Sequence, residues 1–169
     1  TGSGAGVSQF LAGKVSFAGS ASALDAADGE VDEGKKACKD NDAWNLPMVV
    51  GPVAIAYNVD GVDSLILDAD TIAKIFKGDI KKWDDAAIKA LNPDASLPSE
   101  DITVFYRSDD SGTTDNFTKY LNAAASSVWT EDPGKTWTGT GEGKPGSSGV
   151  KQATTDNKNS ISYMEWSFA

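Results

Sequence analysis

The chain has 169 residues, 40% hydrophobic and 24% charged, with five Trp, six Phe and four Tyr, which is room for one ordinary domain or for two small lobes sharing a crossing strand. A net charge of −10 speaks against nucleic acid or an anionic membrane as the main partner. The absence of His removes Ser-His-Asp and Cys-His relays and the commonest zinc ligand, so hydrolase and phosphatase readings fall and no metal or cofactor is assigned.

In chain order, the opening Thr1 to Gly6 reads as a flexible loop, and Val7, Phe10 and Leu11 then form the apolar stripe of a short helix closed by Gly13. Val15 to Ala18 reads as a short strand. The charged stretch Asp25 to Asp42 holds a solvated helix around Asp32 to Lys39 and carries no chemistry, and Cys38, lacking an internal partner, reads as structural. Leu46 to Tyr57 is a long apolar run interrupted by Pro47 and Pro52, which reads as a strand connecting two lobes. Asp70 is expected to cap a packing helix with Ile72, Ile75 and Phe76 inward and Gly78 as its stop; Trp83 to Leu91 repeats the pattern with Asp84 as cap.

Ile102 to Tyr106 is strand-like, and the polar stretch Arg107 to Thr113 turns directly into a helix with Phe117, Tyr120, Leu121 and Ala124 on one stripe. Asp132 to Gly149, rich in Gly, Thr, Lys and Pro, reads as loop, Ser147 to Val150 opens a last short helix, and Ile161 to Phe168 reads as a strand. The segment Gly139 to Lys144 is not a nucleotide loop, because Pro145 stands where a Ser or Thr is needed. No apolar run reaches the roughly 18 residues of a membrane span. Strands alternating with helices imply an α/β fold.

The turn after Tyr106 carries the chemistry. A helix amino terminus exposes N–H groups without internal partners and about half a positive charge, so a strand-loop-helix turn of small residues can cradle an oxyanion. Ser111, Gly112 and Thr113 stand where those donors belong. Arg107 offers a planar fork for two oxygens, and Asp109 can lock that fork. The alternative is that Ser111 is only a helix cap and Arg107 only a surface cation, and spacing by itself leaves both readings open.

The run Arg107-Ser108-Asp109-Asp110-Ser111-Gly112-Thr113-Thr114-Asp115-Asn116-Phe117-Thr118-Lys119-Tyr120-Leu121 resembles the signature of the phosphate-binding proteins of bacterial ABC transporters. It is joined by Thr1 to Gly6, by Val15 to Ser20, by Leu46-Pro47-Met48 running to Tyr57-Asn58, by Ile72 to Gly78 with Trp83, and by Ile161 to Trp166. The resemblance implies a type II periplasmic-binding-protein-like α/β fold, with residues 1–57 as a partial first lobe and crossing strand, 58–160 as a complete second lobe, and 161–169 as the return strand. It implies a solute-binding protein and not an enzyme, which captures inorganic phosphate for an ABC permease at the extracellular face of the membrane or in the periplasm, lipid-anchored in the parent protein. Position by position, it implies phosphate donors at Ser3, Arg107, Ser111, Gly112 and Thr113, with Asp109 orienting the arginine.

Two departures bear on that expectation. The acidic acceptor that the family places after Phe-Ala-Gly-Ser is Ala21 here. Phosphate near neutral pH keeps a proton that a buried carboxylate accepts, whereas sulfate has none, so Ala21 predicts weakened phosphate binding and poor discrimination from sulfate. The family's first lobe also has segments that do not appear in this sequence, so the resemblance implies either a companion fragment completing that lobe or a chain rebuilt to stand alone. The alternative function is a binding-incompetent fragment serving as an interaction or scaffold module. Asp110 is expected to point to solvent, and the Asn116-Phe117-Thr118 sequon to be an ordinary helical stretch.

Overall fold

The computed structural model describes residues 2–169; Thr1, the first residue of the expected opening loop, lies outside them. Order begins earlier than the sequence suggests, since Ser3–Leu11 is already a helix, α1, with Gly2 at its N-cap. A second helix, α2, spans Glu30–Ala37, with Glu30, Asp32 and Glu33 in its first turn and Lys35 and Lys36 in its last. That arrangement of charge complements the helix dipole at both ends.

The rest of the chain is organised on a sheet. Its strands are β1 (Val53–Asn58), β2 (Thr103–Arg107), β3 (Glu142–Lys144) and β4 (Ser160–Glu165), in the order β1-β4-β2-β3. β1 runs antiparallel to β4, with Ile55 opposite Tyr163, while β2 is parallel to both β4 and β3. The intervening helices are α3 (Ala69–Lys77), α4 (Ala86–Leu91), α5 (Gly112–Ala124) and α6 (Gly146–Asp156).

Both faces of the sheet are covered, which explains why five consecutive residues of β4, Ser160 to Met164, are buried. Ile161, Tyr163 and Val104 face the larger core with Ile72, Phe76, Phe117, Leu121 and Trp129. Phe105 and Met164 face the smaller one with Val150 and Ala153 of α6. On the α6 side Thr154 donates to Ser162 Oγ at 2.9 Å, so the buried hydroxyls of that face are paired. An aromatic stack runs through the larger core: Phe117 lies 4.5 Å from Tyr163 and 6.1 Å from Trp137, and Trp137 lies 5.4 Å from Trp129 (ring centroids).

Several local expectations are corrected. Val15 to Ala18 forms no strand, because no strand of the sheet lies beside it and an extended segment without a ladder partner leaves its N–H and C=O groups to water. Leu46 to Pro52 is likewise irregular, so the strand expected from Leu46 starts at Val53. The cap of α3 is Asp68, whose side chain accepts from Thr71 N–H, and that of α4 is Asp85, accepting from Ala87 N–H; Asp70 and Asp84 sit beside the capping positions. The expected loop at 132–149 contains β3, held by parallel pairing to β2 through Glu142, Gly143 and Lys144. The terminal strand stops at Glu165, and Trp166–Phe168 forms a 3-10 turn.

Candidate functional site

Arg107 is the last residue of β2, and its side chain is buried although it carries a permanent charge. Burial of this kind is tolerated only with a partner. Asp109 supplies it through two parallel bonds, Nε to Oδ1 at 2.7 Å and Nη2 to Oδ2 at 2.6 Å. The guanidinium holds the Asp109 carboxyl down at about 2, with the Gly146 N–H at 3.0 Å helping against the opposing effect of burial. From below, Tyr163 Oη accepts from the Arg107 N–H at 3.4 Å and lies 2.7 Å from Thr114 Oγ1. Burial pushes that phenol up to about 12, so it stays a neutral hydroxyl anchoring strand end to helix start.

Ser111 is the N-cap of α5, and its Oγ accepts from Thr113 N–H at 3.1 Å and Thr114 N–H at 3.3 Å. Two donors on one hydroxyl oxygen leave its hydrogen to point elsewhere. Gly112 follows, and a side chain there is sterically excluded, since a Cβ would lie 2.6 Å from Ser3 Oγ and 2.8 Å from the Ser22 N. The cap reading of Ser111 thus holds, while Arg107 is no surface cation.

Residues 2–22 close over this turn. Gly4 N–H donates to Asp110 C=O at 3.0 Å, and Gly2 packs so tightly on the Arg107–Asp109 pair that a Cβ would fall 2.5 Å from Asp109 Oδ2. Ser3 Oγ accepts from Ala21 N–H at 3.0 Å, and Asn116 Nδ2 donates to Ala21 C=O at 2.7 Å and to Gly112 C=O at 2.8 Å. Asn116, read from sequence as an ordinary helical residue, is the clip between these two walls. Farther out, Lys135 Nζ lies 2.6 Å from both carboxylate oxygens of Glu30. Asp110 is exposed as expected, with its carboxylate taken by Thr136 Oγ1 at 2.9 Å.

The result is a cavity of about 540 Å³ lined by Gly2, Ser3, Gly19, Ser20, Ala21, Arg107, Ser111, Thr113, Pro145, Gly146, Ser147, Ser148 and Phe168. The amino termini of α1, α5 and α6 all open onto it. Among the described residues that line it, Arg107 is the one charged side chain and none is a carboxylate. Ser3, Arg107, Ser111, Thr113 and Ala21 all line it; Gly112 is buried behind the lining, and Asp109 stands behind Arg107. Sequence reasoning missed the wall from Pro145 to Ser148, although a proline followed by small residues at the start of a helix repeats in weaker form the pattern at Ser111 to Thr113.

A doubly covered sheet with three helix amino termini and one locked arginine around a cavity is an architecture of the α/β binding-protein class. The chain belongs to the PBP superfamily, whose domain model matches residues 1–169. It is 49% identical to the phosphate-binding protein PstS 3 of Mycobacterium leprae and 47% identical to PstS 3 of Mycobacterium tuberculosis, in each case over 99% of this chain and 45% of the relative. Among solved structures, a high-affinity periplasmic phosphate-binding protein, PfluDING bound with phosphate, superposes with a TM-score of 0.76 at 27% identity, covering 99% of this chain and 49% of that one. The chain thus spans about half the length of the relatives it matches.

Proposed function

We propose that the cavity receives inorganic phosphate and that the chain acts as the solute-binding component of an ABC phosphate importer, with no catalytic step of its own. Its place of action is the periplasm or the outer face of the membrane, with a lipid anchor in the parent protein. The observation that carries this reading is Arg107, paired with Asp109 behind it and facing the cavity beside the start of α5: a buried, oriented guanidinium with helix N–H groups and hydroxyls around it suits a tetrahedral oxyanion better than any neutral solute. Ser3, Arg107, Ser111, Gly112 and Thr113 are the proposed donors. Asp109 orients the arginine.

Ala21 leaves the protonated oxygen of phosphate without its acceptor. One unpaired buried donor costs about 1–3 kcal/mol, equivalent to a roughly tenfold to hundredfold weaker complex, and the same change lets sulfate compete. In the proposed division, residues 1–57 belong to a partial first lobe with its crossing strand, 58–160 to the complete second lobe, and 161–169 to the return strand. Phe17, Trp44, Leu46, Met48, Val49 and Val50 are exposed, which favours a companion polypeptide that completes the first lobe.

Calorimetric titration with phosphate and with sulfate tests the reading. Saturable heat at one anion per chain is expected, with little preference between the two, and Ala21→Asp is expected to raise the preference for phosphate by tenfold or more, a ratio roughly matching one restored hydrogen bond. Silence at millimolar phosphate would sink it and leave the scaffold alternative.

A further inference from the structure

We infer that Ser147 is a further anion-binding residue of this cavity and a second group, beside Asp109, that holds the Arg107 guanidinium in place; this deepens the oxyanion reading above and rests on it for its ligand half. A guanidinium has five N–H groups. Asp109 engages Nε and Nη2, and Ser147 Oγ accepts from Nη1 at 3.2 Å. One N–H on Nη1 and one on Nη2 remain for a ligand.

The first turn of α6 therefore grips the ion pair at two points: Gly146 N–H donates to Asp109 Oδ1 at 3.0 Å and Ser147 Oγ accepts from Arg107 Nη1. Among the described residues Ser147 is the partner of the Nη1 end of the fork, and it adds a third point of attachment to the two that Asp109 provides.

The same bond determines what the serine itself can do. A hydroxyl oxygen accepting from a permanently charged guanidinium directs its hydrogen away from it, and this hydroxyl stands on the cavity wall. Ser3 and Ser111 are constrained alike, because Ser3 Oγ accepts from Ala21 N–H and Ser111 Oγ from Thr113 and Thr114 N–H. Three serines from three helices thus have their oxygens engaged by N–H donors and their hydrogens left to give. Ser147 offers its hydrogen to the anion, a bond that phosphate and sulfate oxygens accept alike, so it strengthens binding of both equally, unlike position 21, which alters their ratio.

Titration of the parent chain, Ser147→Ala and Ser147→Thr with phosphate and with sulfate checks the ligand half. Ser147→Ala is expected to weaken both anions by about tenfold with their ratio unchanged, and Ser147→Thr to restore most of the loss. Nitrogen-detected magnetic resonance of the ligand-free protein checks the positioning half: solvent exchange of the Arg107 Nη1 hydrogens accelerates in Ser147→Ala, while that of Nε–H, held by Asp109, does not change. Affinity for both anions within about twofold of the parent overturns the first half, and unchanged Nη1 exchange overturns the second. A parent chain silent to both anions defeats the phosphate reading together with the ligand half, and the exchange measurement then decides the positioning half by itself.

Discussion

Residues 2–52 and residues 53–169 face each other across one cavity, yet they are built differently. In the first region only Ser3, Val7 and Gly34 are buried among the described residues, and its helices touch little beyond each other and the rim. The second encloses Trp83, Trp129, Phe76, Leu121 and Ile161 almost completely. One wall of the site is therefore supported by a packed core, and the other is held to it by a handful of polar contacts: Gly4 to Asp110, Asn116 to Ala21 and Lys135 to Glu30. Hydrophobic burial supplies most of the stability of a fold, so the two walls should differ in how they respond to perturbation.

The largest test removes core volume. Trp129→Ala is expected to cost about 3–5 kcal/mol in urea unfolding, whereas the exposed Trp44→Ala stays within about 0.5 kcal/mol; similar losses in both would erase the contrast. Next, Gly112→Ala forces a methyl against Ser3 Oγ and the backbone of residues 21 and 22. Overpacking of that kind costs about 1–3 kcal/mol, and amide exchange is expected to rise in residues 2–22 while β2 and β4 stay protected. Glu30→Gln removes the charge but keeps an acceptor for Lys135, whose side chain is 10% exposed against 15% for Glu30, at a cost of about 1–3 kcal/mol. That loss should show as earlier proteolysis within residues 12–52, with the core's unfolding midpoint moving least.

The smallest effect concerns pH. Because Arg107 lowers the Asp109 carboxyl from 3.8 to about 2 on folding, the pair's contribution is fully present above pH 3.8 and disappears as pH falls toward 2. Solvent access reduces it to about 1 kcal/mol. Stability measured across that window should fall less steeply in Asp109→Asn than in the parent, and parallel curves would show that the pair contributes nothing.

The second region was the more legible in sequence, for the same physical reason. The pair Phe117 and Leu121 and the turn of Arg107 to Thr113 follow from local rules of periodicity and capping, and the core enforces them; Tyr120 and Ala124, on the same expected stripe, are exposed. The apolar runs at Val15 to Ala18 and Leu46 to Val50 have strand composition but no layer against which to lie, so composition misleads there. β3 fails in the opposite sense: Glu142-Gly143-Lys144 has no intrinsic strand preference, and its conformation comes from the edge of β2. The site divides similarly. Arg107, Asp109 and Ser111 lie within five residues and could be read together, whereas Asn116, Gly146 and Ser147 reach it only through tertiary placement.

The arrangement of the indoles has an optical consequence. Trp129 and Trp137 lie 5.4 Å apart with their planes inclined at 40°, close enough for their excited states to couple and produce a paired band of opposite signs in far-ultraviolet circular dichroism. Neither ring lines the cavity, nor does Trp44, Trp83 or Trp166. This spectral doublet thus reports whether the interior is intact and should be blind to whether the cleft is filled, giving an internal standard against which any change on adding anion can be judged.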